Sequence, residues 1–148
     1  WKGIVFMDII TGKSYEELRE FYILSFASDE YYTKQINKNV AAQLSSNSDY
    51  IWDNLKNYSR CSEHYCFELI KSKSQIYLMW DTFDNYEIED SNYWKYPRYS
   101  ILHMTSSDFF KYYNTFPEDL YIFDLTYEWS VILTHEDYRD NKRYCLKI

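Results

Sequence analysis

The sequence predicts an α+β fold, and two observations carry that expectation. Apolar residues recur at helical spacing as far as Arg60, and after it they alternate with polar residues in short runs. Helices do not fall regularly between those runs, so a mainly antiparallel sheet from the second half is expected, packed against helices from the first half. With 148 residues the chain is expected to form a single domain, 1–148, able to bury a core without disulfide or metal staples.

The apolar run Ile4 to Ile10 predicts a first strand, ended by Thr11-Gly12. Ser14-x-x-Glu17 then has the form of a capping box, in which each side chain satisfies a free backbone N–H of the other residue. Leu18, Phe21, Tyr22 and Phe26 share one face of the helix that follows. Tyr32, Ile36, Val40 and Leu44 repeat every fourth residue and predict a second helix, and Ile51, Trp52 and Leu55 a short third one. Ser45 to Asp49 is a polar break between these two.

Beyond Arg60, Tyr65, Phe67 and Leu69 alternate with Cys66, Glu68 and Ile70, which predicts a strand. Ile76, Leu78 and Trp80 alternate again, so the two runs are expected to form a hairpin. Arg98 to Met104 predicts a further strand. Thr105-x-x-Asp108 then caps a helix through Phe109, Phe110, Tyr112 and Tyr113, closed by Phe116-Pro117. Leu120 to Asp124, Glu128 to Thr134 and Arg143 to Ile148 are the last three expected strands, with Asp124 and Glu128 bracketing a turn.

Composition excludes several functions. The chain has only 2 Gly. Gly3 and Gly12 stand alone, so neither G-x-G-x-x-G nor G-x-x-x-x-G-K is present to cradle phosphates. A net charge of −7 disfavours nucleic acid, whose phosphates require Lys and Arg, and favours a basic partner. Abundant Phe, Tyr, Ile, Asn and Lys beside scarce Gly and Pro point to an AT-rich, bacterial genome. The 3 Cys show no repeated spacing, which predicts free thiols in a reducing cytoplasm. No basic segment precedes a long apolar run, so neither a signal peptide nor a membrane span is expected.

Five carboxylates, Asp81, Asp84, Glu87, Glu89 and Asp90, stand close together, and no Lys or Arg occurs between Lys73 and Lys95. Tyr86, Tyr93, Trp94 and Tyr96 interleave with them or follow. Carboxylates rimming exposed aromatics suit a basic protein, because aromatics anchor and charges steer. We therefore read Asp81, Asp84, Glu87, Glu89, Asp90 and Trp94 as a partner-binding segment, against the plainer reading of a solvated loop. It lacks the order and the Gly of a calcium loop.

Two other clusters are weighed and set aside. Cys61-x-x-His64-x-Cys66 offers soft ligands, and Cys145, His103 or His135 could complete a zinc site. The paired C-x-x-C knuckle is missing, so buried inert thiols and no metal are expected. Thr134-His135-Glu136-Asp137 places a His beside carboxylates, which would suit a general base. No second metal-binding His lies four residues on, where Arg139 stands, and no nucleophile motif accompanies it. A strand-end His in a polar turn is the expected outcome, with no catalytic residue and no cofactor.

The segment from Phe116-Pro117-Glu118-Asp119 through Tyr121-Ile122-Phe123-Asp124 and Trp129 to Thr134-His135-Glu136 resembles a pattern in small, functionally uncharacterised bacterial proteins. In these a Tyr-Ile-Phe-Asp strand precedes a Trp-bearing strand ending in Thr-His-Glu. Small acidic proteins of this kind are often immunity proteins, which neutralise a toxin. The resemblance thus implies a toxin inhibitor acting by protein–protein interaction on a basic toxin, such as a nuclease. The alternative expectation is a small enzyme using His135 and Glu136.

Overall fold

Among the described residues, seven short strands pair throughout in antiparallel fashion to form one sheet. They are β1 (Met7–Ile10), β2 (Ser59–Cys61), β3 (Gln75–Met79), β4 (Ile101–Thr105), β5 (Leu120–Phe123), β6 (Ser130–Asp137) and β7 (Arg143–Lys147). Their order is β1-β4-β3-β5-β6-β7-β2. This computed structural model describes residues 7–36, 50–82, 95–137 and 142–148. Four α-helices lie among the described residues: α1 (Gly12–Phe26), α2 (Asp29–Ile36), α3 (Glu63–Lys71) and α4 (Ser106–Lys111).

Strand periodicity fixes two cores, because successive side chains point to opposite faces. Leu120 and Ile122 face one side with Ile76, Leu78, Leu102, Val131 and Leu133. There they meet Cys66 and Ile70 of α3 and Phe109 of α4. Tyr121 and Phe123 face the other side with Met79, Ile101, Ile132 and Leu146. There they meet Tyr15, Tyr22, Ile23 and Phe26 of α1 and the 3₁₀ turn Ile51–Asp53. The helices of the first half thus cover one face as expected, and α3 with α4 cover the second.

Several boundaries differ from the sequence reading, each for a local reason. The run from Tyr65 to Leu69 is helical. The Ser62 hydroxyl caps α3 by accepting from the Tyr65 N–H at 3.0 Å, and the buried pair Cys66 and Ile70 is spaced by one helical turn. The expected hairpin with β3 therefore does not form, and β3 pairs instead with β4 and β5. Ser14 is not a cap either. Gly12, at φ +65°, turns the chain so that α1 begins before Ser14, with Thr11 as N-cap. Phe21 leaves the expected apolar face and points outward.

Other expectations hold in place. Thr105 caps α4 by accepting from the Asp108 N–H at 3.1 Å. Asp124 closes the β5–β6 turn by accepting from the Thr126 N–H at 3.0 Å. The short edge strand β2, which the sequence reading did not anticipate, pairs with β7 and sets Cys61 opposite Cys145. The stretch containing Val40 and Leu44 lies outside the described residues.

A buried hydroxyl relay joins α1 to the sheet. Ser130 Oγ donates to the Ile122 carbonyl at 3.0 Å, so its single proton is committed. Tyr22 must then donate to Ser130 Oγ, 2.6 Å away. Ser130→Ala leaves the Tyr22 hydroxyl buried without an acceptor and should cost about 1–3 kcal/mol. Adding Tyr22→Phe should recover part of that loss, and urea unfolding of the two single variants and the double variant measures it.

Candidate functional site

The carboxylate expected to begin a surface segment is instead a buried anchor. Asp81 follows β3 and is 7% exposed. Its Oδ2 accepts from the Tyr121 hydroxyl at 2.6 Å, and its Oδ1 from the Ile51 N–H at 3.1 Å. The Tyr121 oxygen accepts in turn from the Trp52 N–H at 2.9 Å. Burial pushes the Asp81 carboxyl up to about 7, although both hydrogen bonds and the Arg19 guanidinium of α1 pull the other way. Asp81 therefore cannot act as an exposed rim charge. Asp84, Glu87, Glu89, Asp90 and Trp94 lie outside the described residues.

His135 is brought to a different carboxylate from the neighbour the sequence offered. Four steps along β6, from Leu133 to Asp137, span only two along β7, from Cys145 to Arg143, so β6 bulges at His135. The bulge leaves backbone groups without ladder partners, and side chains take them up. Asp119 Oδ1 accepts from the His135 N–H at 2.6 Å, and both Asp119 oxygens lie 2.9 Å from His135 Nδ1. Thr134 Oγ1 donates to the Tyr144 carbonyl at 2.7 Å, and Arg143 Nε donates to the Thr134 carbonyl at 2.8 Å. The imidazole lies near the rings of Tyr50 and Trp52, with centroids 5.9 and 6.5 Å away.

Glu136 makes no hydrogen bond to the His135 ring among the described residues; its N–H donates to Thr134 Oγ1 at 3.2 Å. Asp119 was missed because it stands 16 residues from His135, a separation that no local spacing rule can read. The arrangement orients an imidazole with a carboxylate, as a general base requires. No hydroxyl or thiol nucleophile is hydrogen-bonded to that ring among the described residues.

Of the zinc candidates, His103 stands apart from the three thiols. His103 stacks on Tyr77 with centroids 4.4 Å apart and meets Asp8 at 3.0 Å, near the β1 edge of the sheet. Cys61, Cys66 and Cys145 gather near the opposite edge as free thiols. No group of three or more His, Cys, Asp or Glu among the described residues is arranged to hold a metal ion.

The exposed face of α1 sets apolar side chains near carboxylates. Phe21 and Leu24, one turn apart, are 55% and 43% exposed, and Leu125 in the β5–β6 turn is 51% exposed. The Phe21 ring lies 5.9 Å from that of Tyr127 in the same turn. Glu16, Glu17 and Glu20 on α1 and Glu128 beyond the turn are exposed. Lys13 meets Glu17 at 3.9 Å, and Lys56 meets Asp29 at 3.7 Å.

Comparison with known proteins finds no matching family model, no matching curated protein and no matching solved structure. No helix among the described residues is long and apolar enough to cross a membrane.

Asp81 gives a signed pH prediction. The folded carboxyl binds its proton more tightly than the ordinary value of 3.8 allows, so folding stability falls as pH rises from about 4 to about 7 and levels off above. Asp81→Asn should flatten that part of the profile, and urea unfolding at pH 5 and pH 8 reads the difference. For the bulge, Asp119→Ala strands the His135 N–H and should cost about 1–3 kcal/mol at neutral pH. Chemical denaturation measures it, and a loss below experimental error would show that water replaces the carboxylate.

Proposed function

We propose that this protein binds a basic protein partner in the cytoplasm, as an immunity protein does when it neutralises a toxin by direct contact. One observation carries the reading: the α1 surface combines exposed apolar side chains with neighbouring carboxylates. Phe21, Leu24 and Leu125 provide the area that anchors a complex. Glu16, Glu17, Glu20 and Glu128 provide the charge that steers a cationic protein towards it.

The acidic segment extends the same reading. Thr82, the last described residue before it, lies beside Tyr15 on α1. Asp84, Glu87, Glu89, Asp90 and Trp94 are proposed as its partner-facing residues. A net charge of −7 supports a cationic protein and disfavours nucleic acid. A basic nuclease fits, because an enzyme that grips phosphates carries the complementary charge. Three free thiols suit a reducing compartment.

The test uses a basic protein recovered on the immobilised chain and then titrated against variants. Phe21→Ala should weaken binding by about 2 kcal/mol, or roughly 30-fold. Glu17→Lys with Glu20→Lys, and separately Asp84→Lys with Glu87→Lys and Glu89→Lys, should slow association at low salt and less so at high salt. Unchanged kinetics in all three variants would place the interface elsewhere. Co-production of the chain should also restore growth to cells making that partner, and failure to do so would reject the immunity role.

A second reading rests on the carboxylate-oriented imidazole of His135. Here Asp119 holds Nδ1, and Nε2 is the atom that would move a proton, with Glu136 beside it in sequence. Turnover of an activated ester by the wild type and not by His135→Ala supports this reading, and equal background rates remove it.

A further inference from the structure

Three thiols far apart in sequence meet where β2, β7 and α3 converge. Cys61 ends the edge strand β2 and stands opposite Cys145 of β7 in the antiparallel register. Cys66 faces the same core from the first half of α3. The Cys61 and Cys66 sulfurs are 3.3 Å apart, and Cys145 lies beside Cys66. Cys66 and Cys145 are buried, whereas Cys61 is partly exposed. Inert core thiols, the outcome expected from sequence, need no such convergence and no access from solvent.

The surroundings divide the labour among the sulfurs. The Cys66 S–H lowers the Cys61 thiol by donating to it, against the effect of burial, and the Lys147 ammonium lowers it further. Cys66 itself is raised by its hydrogen bonds to Cys145 and Cys61 and by burial, so it keeps its proton. Cys61 also directly precedes Ser62, the N-cap of α3, where the helix amides favour negative charge. The hydrogen bond to Cys66 lowers the Cys145 thiol as well, but Cys145 is buried and Cys61 is the partly exposed sulfur, with protonated Cys66 in contact with it.

We propose that Cys61 and Cys66 form a hydroperoxide-reactive dithiol, with Cys61 as the attacking sulfur and Cys66 as the resolving one. The Cys61 thiolate attacks the outer oxygen of a hydroperoxide, the O–O bond breaks, and the departing alkoxide takes a proton to leave as alcohol or water. Cys61 is then a sulfenic acid. The Cys66 sulfur attacks the Cys61 sulfur, the S–O bond breaks, and the hydroxide leaves as water with the Cys66 proton. The two thiols are oxidised to one disulfide and the hydroperoxide is reduced to alcohol and water. The sulfurs need only close from 3.3 Å to about 2.05 Å. The product bond ties the edge strand β2 to the first turns of α3.

Trypsin sorts the outcomes directly. Cleavage after Arg60 and Lys71 releases 61–71, which holds Cys61 and Cys66 together, and cleavage after Arg143 and Lys147 releases Cys145 in 144–147. The folded protein is treated with equimolar hydrogen peroxide, denatured in an alkylating agent, digested and weighed. The expected result is peptide 61–71 lighter by two hydrogens and unalkylated, peptide 144–147 alkylated, and full reversal by dithiothreitol. Cys145→Ser should give the same 61–71 product, and Cys66→Ser should accumulate a dimedone-reactive sulfenic acid at Cys61. Peptide 61–71 alkylated at both cysteines after wild-type treatment, a link to 144–147, or a Cys61 sulfinate with no link would each overturn the proposal.

Discussion

The buried carboxyl of Asp81 is the constraint on which this face of the molecule depends. A carboxyl removed from water must find hydrogen-bond partners or destabilise the fold by several kcal/mol, on the order of what a buried unpaired group costs. Here the partners are the Tyr121 hydroxyl on β5 and the Ile51 N–H of the 3₁₀ turn. Tyr121 passes the constraint on by accepting from the Trp52 N–H. The turn is thereby fixed on the sheet, and Trp52 is set against His135 and Tyr144. Arg19 of α1 also stabilises the charge of this carboxyl electrostatically, while turn and sheet are tied to it by hydrogen bonds.

A second polar assembly does the corresponding work at the β6 bulge. Breaking the ladder between Leu133 and Asp137 frees backbone groups that cannot stay unpaired inside a fold. Asp119 accepts from one of them and Arg143 donates to another. Arg143 also donates to Glu63 of α3 at 3.1 Å and to the Tyr113 hydroxyl. The same side chain therefore joins the bulge to the helix that carries Cys66. Arg143 thus stands between the bulge that orients His135 and the neighbourhood of Cys145, which it meets electrostatically.

Much of this was legible in the sequence and the remainder has a physical reason for escaping it. Alternating apolar runs located β3, β4 and the β5–β6–β7 meander, and Thr105-x-x-Asp108 located the cap of α4. The segment around Phe67 failed because its alternating apolar residues also satisfy a helix, and only the Ser62 cap with the Cys66–Ile70 spacing decides between them. The site was less legible than the fold. Asp81 reads as part of an acidic run, since sequence records that it is charged and not that Tyr121 and Ile51 will enclose it. Asp119 and His135 are joined by a bulge, and Cys61 and Cys145 by a strand register, which are tertiary facts.

The segment from Asp119 to His135 has a structural use that bears on where recognition can reside. Tyr121, Ile122, Phe123 and Trp129 are buried, and Asp119 with His135 satisfies the β6 bulge. A side chain enclosed in the core makes its contacts before any partner arrives, so it contributes little to the choice of that partner. Specificity therefore falls to groups that keep their water until binding, the condition under which burial of an aromatic or screening of a charge adds to affinity. On the described surface such groups include Phe21, Leu24 and Leu125 with the carboxylates near them, and also Ile9, Tyr58, Tyr65 and Tyr99. The Phe21 ring rests on Tyr127, which also meets Phe26 and Phe123, so the core holds this ring in place while Phe21 stays 55% exposed to solvent.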